Sequence, residues 1–159
     1  MYPAAIEEYV RPETVAEAVD AIGRFKAGDA VFLAGGQSVM QALKTRLLQP
    51  RCVIDLQSIN KLKALSAGGS GVTIGSMTSY STLAQETGLD GAYQALRDAA
   101  ARVGDRQVRN RGTIGGSLCW NYVAACMPAV ALGLGMEFGP SGQSCHSEPA
   151  SRRISWWSA

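Results

Sequence analysis

The sequence predicts an α+β fold made of two lobes, and three observations lead to that prediction. Over residues 1–57, strand-like and helix-like stretches alternate, as they do in α/β structures. From residue 62 onward, two apolar stretches joined by glycines indicate an antiparallel hairpin with helices after it. Each half also contains one Gly-Gly pair that is followed by a hydroxyl side chain. We therefore expect an N-terminal α/β lobe at residues 1–57, a second lobe with an antiparallel sheet and helices at residues 58–140, and an atypical, irregular tail at residues 141–159.

The first lobe is predicted to contain three strands and two helices. Thr14 and Glu17 have the spacing of a capping box, which marks the start of a helix. Ser38 is placed to cap the second helix, and Pro50 should end it. The predicted strands cover residues 6–10, 31–34 and 53–56, and the helices begin at residue 14 and cover residues 39–48.

The second lobe is predicted to begin with a hairpin over residues 62–66 and 72–75, joined by a glycine-rich turn. Helices should follow from Ser79 or Ser81, over residues 92–103 and over residues 123–134. In the second of these, apolar side chains recur at helical spacing and should face the core. They are Tyr93, Leu96, Ala99, Ala100 and Val103. Met136 should begin a further strand, for which no partner strand follows.

Composition and charge indicate a folded globular protein and do not indicate a nucleic-acid-binding or membrane-spanning one. Apolar residues make up 47% and charged residues 18%, which is typical of a folded globular chain. A formal charge of +2 is too small to indicate a nucleic-acid partner. The sequence has no apolar run long enough for a transmembrane segment and no signal-peptide pattern at its start, so we expect a cytoplasmic location.

The side chains do not form a recognisable catalytic or metal centre. The four cysteines contain no C-x-x-C pair, so we expect no iron–sulfur cluster in this chain. Cys119, Cys126, Cys145 and the single histidine, His146, match no standard zinc spacing, so we expect no metal site. There is also no hydrolytic triad, which leaves no catalytic residue to predict. Any chemistry must then come from a bound cofactor.

The two Gly-Gly stretches are the candidate ligand site. The first is Leu33-Ala34-Gly35-Gly36-Gln37-Ser38, and the second is the strand end or loop that runs from Val108 through Gly115-Gly116 to Ser117. Because glycine readily takes a positive φ, we expect adjacent N–H groups in each stretch to point into one concavity that suits phosphate. One such pair is most simply a tight turn. Two pairs favour a site for the two ends of a pyrophosphate.

These two stretches, residues 34–38 and 109–116, resemble the FAD-binding medium subunit of molybdenum hydroxylases, the family of xanthine dehydrogenase and aerobic carbon monoxide dehydrogenase. The resemblance extends from about residue 2 to residue 138. It implies a two-lobed FAD-binding domain of the p-cresol methylhydroxylase type, with both glycine loops around the FAD pyrophosphate. The FAD-binding residues implied are Leu33, Ala34, Gly35, Gly36, Gln37, Ser38, Val39, Gly75, Thr78, Thr113, Ile114, Gly115, Gly116 and Ser117.

The resemblance also implies a function, which is that of an electron-transfer subunit. A molybdopterin-binding large subunit would oxidise the substrate, and a small subunit with 2Fe–2S clusters would pass electrons to the FAD of this chain. The FAD would then deliver them to an external acceptor, so the chain alone would not oxidise the organic substrate. The alternative is a truncated non-catalytic remnant, or a docking module, that does not retain flavin.

Two departures from the family support that alternative. The family usually has an Asp-Pro pair and then a further aspartate, where this sequence has Tyr122, Val123 and Cys126. The loss of a ribose hydrogen bond of this kind costs about 1 kcal/mol. For Trp120 and Tyr122 we expect core packing rather than stacking on flavin.

The tail at residues 141–159 is the second departure, because it contains six serines and a non-periodic Trp156-Trp157 pair. We hypothesise a truncated or frame-shifted product. Resequencing the coding region tests this, and an intact reading frame that ends at Ala159 would exclude the frameshift.

Five arginines lie close together in the second lobe. Asp98 and Asp105 interrupt this group, and it contains no interleaved aromatic residues, so we do not expect nucleic-acid binding. A solvated, salt-bridged face is the simplest interpretation, and contact with a partner subunit is the second. The arginines are Arg97, Arg102, Arg106, Arg109 and Arg111.

Overall fold

A computed structural model of the chain describes residues 5–68, 71–137, 139 and 152–153. The chain divides into two compact units, Met1–Lys61 and Leu62–Ala159, which we call the first lobe and the second lobe. Within the described residues, no helix combines the length and the apolar character needed to span a bilayer.

The first lobe contains a three-stranded parallel sheet with the order β1-β3-β2. The central strand β3 is buried along its whole length, as expected for a strand with neighbours on both sides. Because all three strands are parallel, their carboxyl ends meet at one edge of the sheet. The elements are β1 (Glu8–Val10), α1 (Val15–Gly23), β2 (Ala30–Leu33), α2 (Val39–Lys44) and β3 (Cys52–Asp55). The predicted alternation of strands and helices is confirmed.

Helix α1 begins as predicted, whereas α2 does not. The Thr14 side chain accepts a hydrogen bond from the Glu17 amide at 3.2 Å, and the Glu17 carboxylate accepts one from the Glu13 amide at 2.9 Å. The hydrogen bond from the Glu13 amide is the main cause of the lowered pKa of the Glu17 carboxyl group. Ser38 makes no cap hydrogen bond, so the predicted cap is wrong. Its backbone is already helical (φ −106°, ψ −48°), whereas a capping residue is normally extended.

The second lobe begins with an antiparallel hairpin, as predicted, and continues mainly as helices. Among the described residues, antiparallel sheet pairing is confined to that hairpin and does not extend into a larger sheet. The predicted strand at Met136 is present, but it pairs in parallel with residues 152 and 153 of the tail, so the expectation that no partner strand follows is wrong. The elements are β4 (Leu65–Gly68), β5 (Gly71–Ile74), α3 (Tyr80–Gln85), α4 (Gln94–Arg102), α5 (Arg106–Arg111), α6 (Ile114–Trp120), α7 (Cys126–Gly133), β6 (Met136–Glu137) and β7 (Arg152–Arg153).

The core of the second lobe is built from the apolar faces of its helices. The face predicted for α4 is confirmed, because Leu96 and Ala100 are fully buried and Tyr93, Ala99 and Val103 pack against the same cluster. Leu83 of α3 and Ile114 of α6 are also fully buried in it. This core fixes the start of α6, where the second Gly-Gly pair lies.

Three predictions in the second lobe are wrong in their local structure. The stretch before the second Gly-Gly pair is helix α5 rather than a strand end or loop, because the Asp105 carboxylate caps it through the Val108 amide at 2.9 Å. The helix predicted to begin at residue 123 begins at Cys126. Tyr122 lies in the preceding turn with 60% of its surface exposed, so it does not pack in the core. The remaining tail, with Cys145 and His146, lies outside the described residues.

Candidate functional site

The first Gly-Gly stretch leaves β2 at the carboxyl edge of the parallel sheet and leads directly into α2. Gly36 has a φ of +76°, as predicted, but Gly35 does not have a positive φ. A Cβ atom on Gly36 would lie 3.2 Å from Cγ of Met40, so the position is crowded as well as left-handed. Glycine is therefore required at Gly36 for a conformational reason.

The amides of this stretch are its main chemical feature. Within the described part of the chain, none of the five consecutive backbone N–H groups from Gly35 to Val39 donates a hydrogen bond. The Gln37 side chain bonds back to the Gly35 carbonyl oxygen at 3.5 Å, so it uses an acceptor of the loop and none of its donors. A run of unbonded amides is a favourable surface for an anion.

Asp55 lies beside this stretch, because it ends β3 and pairs in register with Leu33. Only 5% of its surface is exposed, and both carboxylate oxygens have partners. The Tyr9 hydroxyl donates to one oxygen at 2.5 Å and the Gln57 amide donates to the other at 2.9 Å. The hydrogen bond to Asp55 is the main cause of the raised pKa of Tyr9. An acidic residue at the end of a buried strand was the sequence signal for this pair.

The second Gly-Gly pair has the opposite local structure. Gly115 and Gly116 form the first turn of α6 and neither has a positive φ, so the prediction of a left-handed glycine loop is wrong here. The Gly115 amide donates to the Ser76 carbonyl oxygen at 2.9 Å. The Gly116 amide donates to the Thr113 hydroxyl at 3.1 Å. The expected concavity of free amides is absent because Thr113 precedes the pair and caps the helix.

The segment that contains Gly75 and Thr78 lies directly against the start of α6. The Thr78 carbonyl oxygen accepts from the Ile114 amide at 3.1 Å, next to the bond between Gly115 and Ser76. The structure thus brings together five of the predicted FAD-binding residues with Gly75 and Thr78, all within the second lobe. Their binding to FAD stays a prediction. The five are Thr113, Ile114, Gly115, Gly116 and Ser117.

Thr78 and Gly75 each have a distinct property. The Thr78 side chain is buried, and its hydroxyl has no hydrogen-bond partner among the described residues. An unpaired buried hydroxyl is unfavourable unless something else bonds to it. At Gly75, a Cβ atom would lie 2.6 Å from the carbonyl carbon of Leu62 and overlap the oxygen of the same group. Close backbone approach therefore requires glycine there.

Tyr80 packs against the same region, and its apolar helix position was the sole sequence signal for this role. A Cβ atom on Gly112 would lie 2.7 Å from the Tyr80 ring, and the Tyr80 amide donates to the Gly112 carbonyl oxygen at 3.0 Å. Burial is the main cause of the raised pKa of the Tyr80 hydroxyl. Tyr80 thus fixes the chain directly before the α6 cap.

The arginine group does not form a salt-bridged face in the described part of the chain, because neither ion pair found there includes any of the five. Arg109 instead donates to the carbonyl oxygens of Val103, at 3.3 Å, and Gly104, at 3.1 Å. Among the described residues, no group of three or more His, Cys, Asp or Glu side chains is arranged to hold a metal ion.

A sequence model of one family, described as the FAD binding domain in molybdopterin dehydrogenase, matches residues 4–145 of the chain. The carbon monoxide dehydrogenase medium chain of Hydrogenophaga pseudoflava is 37% identical over 139 residues, which are 86% of this chain and 48% of that protein. The caffeine dehydrogenase subunit beta of Pseudomonas sp. strain CBB1 is 33% identical over 154 residues, which are 97% of this chain and 50% of that protein.

The fold agrees with these sequence matches. A solved structure of the Hydrogenophaga pseudoflava carbon monoxide dehydrogenase, which lacks the Mo-pyranopterin moiety of its molybdenum cofactor, superposes with a TM-score of 0.77 at 37% identity. The superposition covers 86% of this chain and 46% of the solved one. The chain therefore spans about half the length of the relatives it matches. These comparisons confirm both the resemblance seen in the sequence and the predicted fold class.

Proposed function

Because the chain belongs to the family of FAD-binding domains of molybdopterin dehydrogenases, we propose that it binds FAD and serves as the flavin subunit of a molybdenum hydroxylase. Its relatives include subunits of oxidoreductase complexes. In the proposed role, electrons arrive from the 2Fe–2S clusters of a small partner subunit and leave through FAD to an external acceptor. A molybdopterin-binding large subunit oxidises the substrate.

The observation that carries this proposal is the run of unbonded amides from Gly35 to Val39. A pyrophosphate has negatively charged oxygens that accept hydrogen bonds, and bonds to a charged partner are stronger than neutral ones. Gly36 gives this run its left-handed turn, and neither glycine has a side chain of its own beside the amides. The Ser38 hydroxyl, which does not cap α2, is a further donor.

The second lobe contributes a different kind of contact. The amides of Ile114, Gly115 and Gly116 already have partners in the protein, so this segment is proposed to fit FAD through close backbone approach and hydroxyl groups. The Thr78 hydroxyl, which has no hydrogen-bond partner among the described residues, is proposed to bond to an atom of FAD. The proposed FAD contacts remain those that the family resemblance implies. They are residues 33–39, Gly75, Thr78 and residues 113–117.

No proton donor or nucleophile of this chain is needed for the proposed chemistry. FAD, when bound, supplies the electron-transfer chemistry itself. The chain's residues hold the pyrophosphate, orient the cofactor and exclude water from its contacts. The chain alone should therefore show no activity on an organic substrate, whereas the complete complex should.

Flavin content tests the proposal directly. The purified chain, mixed with FAD and passed over a desalting column, should keep a flavin that absorbance detects after denaturation. Gly36→Ala should weaken FAD binding about tenfold, because it strains a left-handed position by roughly 1–2 kcal/mol. Gly23→Ala is the matched control, since nothing lies within 4 Å of a Cβ there. A colourless chain that binds no FAD at micromolar concentration would contradict the proposal.

A second candidate, a docking module that does not retain flavin, is favoured by one observation. Val123, where the family usually has the proline of its Asp-Pro pair, is 97% exposed, and Tyr122 beside it is 60% exposed. The double variant Tyr122→Asp, Cys126→Asp separates the two candidates. If the chain is a flavoprotein weakened at these positions, FAD affinity should rise about fivefold, for roughly 1 kcal/mol of restored hydrogen bonding. A docking module should bind no FAD with either sequence.

A further inference from the structure

We propose that the arginines around the turn between α4 and α5 form a docking surface for an acidic electron-carrier protein. The proposal rests on the proposed function, because such a carrier would be the external acceptor. Arg102 ends α4, Arg106 begins α5, and Arg109 lies about one turn further along α5. We call these three residues the arginine turn. All of them belong to the second lobe.

The segment from residue 97 to residue 111 has an excess of positive charge. It contains five arginines and two aspartates, so its formal charge is +3, whereas the formal charge of the whole chain is +2. Neither ion pair found among the described residues includes any of these arginines. The Asp105 carboxylate accepts from the Val108 amide at 2.9 Å as the cap of α5. Ion pairs within the described part of the chain therefore leave this positive charge unneutralised.

Arg109 fixes the shape of the arginine turn. Its guanidinium donates to the carbonyl oxygens of Val103, at 3.3 Å, and Gly104, at 3.1 Å. Gly104 has a φ of +43°, which lets the chain reverse between the two helices. The end of α4 is thus tied to α5. Arg102 and Arg106, which flank this turn, are both exposed to solvent.

The position of Arg106 is unfavourable for α5 itself. Arg106 is the first residue of that helix, where the positive end of the helix dipole disfavours a cation. Arg102, by contrast, lies in the last turn of α4, where a cation is favourable. A residue that breaks a local rule without a compensating contact points to a function. Binding of an anionic surface is the function that a free guanidinium suits best.

The composition of residues 97–111 favours an acidic protein as the partner. The structure describes all of these residues, and none is an exposed large apolar side chain, so an apolar partner does not fit. Asp98 and Asp105 interrupt the arginines and no aromatic residue is interleaved, which disfavours nucleic acid. Complementary charge accelerates the association of two proteins. Electron-transfer encounters are weak and use small interfaces, so a patch of this size suffices.

The arginine turn also lies near the proposed flavin contacts along the chain. Helix α5 has six residues, so it is about 9 Å long. It ends at Arg111, and Thr113 caps α6 two residues later. A carrier docked on the turn is thus one short helix away from the proposed FAD segment. Two oxidised carrier molecules in succession each accept one electron from the two-electron-reduced flavin, and two protons pass to solvent.

Two carrier proteins of opposite charge test the proposal. The probes are a flavodoxin, which is acidic, and a cytochrome c, which is basic. Isothermal titration calorimetry measures their binding to the purified chain, both with and without added FAD. At low salt we expect flavodoxin to bind with a Kd on the order of 10 μM and cytochrome c not to bind. Raising the salt to about 0.2 M should weaken flavodoxin binding about tenfold, because salt screens exposed charges.

A charge reversal and its matched control assign the binding to the arginine turn. Arg106→Glu should weaken flavodoxin binding at least about tenfold at low salt. The same variant should raise the urea midpoint slightly, because an acidic residue is favourable in the first turn of a helix. Lys26→Glu makes the same change of charge at an exposed residue of the first lobe. It should leave the affinity within about twofold of the parent.

Three outcomes would overturn the proposal. The first is no flavodoxin binding at low salt, the second is equal weakening by Arg106→Glu and Lys26→Glu, and the third is cytochrome c binding as tightly as flavodoxin. FAD binding is measured on the same samples. A chain that binds FAD but not flavodoxin overturns the docking surface alone. A chain that binds flavodoxin but not FAD contradicts the proposed function while it supports the docking surface.

Discussion

The two Gly-Gly stretches have similar sequences but different structures. In the first lobe, five amides from Gly35 to Val39 have no acceptor within the described residues, and Gly36 is left-handed. In the second lobe, the amides of Gly115 and Gly116 are both bonded, and the pair forms part of a helix. The amides of the first stretch are therefore available to a ligand, whereas those of Gly115 and Gly116 already donate to acceptors within the protein.

The position of the hydroxyl residue explains this difference. Thr113 stands before its Gly-Gly pair in an extended conformation, so its side chain reaches the Gly116 amide and caps α6. Ser38 stands after its pair with a helical backbone, and its side chain makes no cap bond. In this chain, a Gly-Gly pair starts a helix where a hydroxyl residue precedes it as a cap, and it forms a free-amide loop where no such residue precedes it.

Gly75→Ala should have the largest effect, because it tests the rigidity of the second lobe. The added Cβ would overlap the Leu62 carbonyl group, and overpacking of this kind costs about 3 kcal/mol. Urea unfolding followed by circular dichroism measures the loss. Gly133→Ala is the control, since nothing lies within 4 Å of its Cβ and alanine favours a helix. Equal stability of the two variants would show that Gly75 is not tightly enclosed.

Substitution of the two hydroxyl residues by alanine should then separate stability from flavin binding. Thr113→Ala removes the α6 cap and should lower the free energy of unfolding by about 1 kcal/mol. Ser38→Ala removes no cap, so stability should change by less than about 0.5 kcal/mol while FAD affinity falls. Chemical unfolding and fluorescence titration with FAD measure the two quantities. Equal destabilisation by both variants would contradict the rule.

Thr78→Val should move stability and affinity in opposite directions. Valine has nearly the same shape and removes a buried hydroxyl that lacks a partner, so the flavin-free chain should gain up to about 1 kcal/mol. If that hydroxyl meets FAD, affinity should fall in the same variant. Thr73→Val on the exposed side of β5 is the control for β-propensity. A variant that binds FAD as well as the parent would remove Thr78 from the site.

Tyr9→Phe should have the smallest effect, which is a change in how the free energy of unfolding depends on pH. The hydrogen bond to Asp55 raises the pKa of Tyr9 in the folded chain. Stability from this bond is therefore complete below the unfolded pKa of about 10 and is lost as pH rises through the folded value. Because 57% of the Tyr9 surface is exposed, the hydrogen bond contributes little to the free energy of unfolding. Unfolding at about pH 8 and about pH 11 should show a steeper loss in the parent than in Tyr9→Phe.

Much of the first lobe was predictable, because its sequence carries local signals. The capping residue Thr14 and the apolar strands around Val31 and Val53 gave the order of elements, and parallel pairing follows from helices between strands. The pair formed by Tyr9 and Asp55 was not predictable in detail, since the residues are 46 positions apart and meet only through the sheet.

The second lobe was harder, because several of its helices are short and depend on tertiary contacts. Helix α5 has six residues, four of them Arg or Asn, and no apolar periodicity predicts it. Its start becomes clear only from the Asp105 cap. The contact between the Gly75–Thr78 segment and α6 joins residues 36 and 39 positions apart, which local propensity cannot reveal. Only the resemblance to a family predicted that both segments contribute to one site.

The unbonded amides also have a thermodynamic consequence. Amides from Gly35 to Val39 that remain solvated contribute nothing to the free energy of unfolding, whereas a ligand that bonds them stabilises the folded state by mass action. With FAD at a hundred times its Kd, that gain is about 2.7 kcal/mol. The first lobe spans only about 61 residues, a size at which folded domains are marginally stable. If the chain binds FAD as proposed, cofactor supply would therefore set how long the folded chain survives heat and proteases.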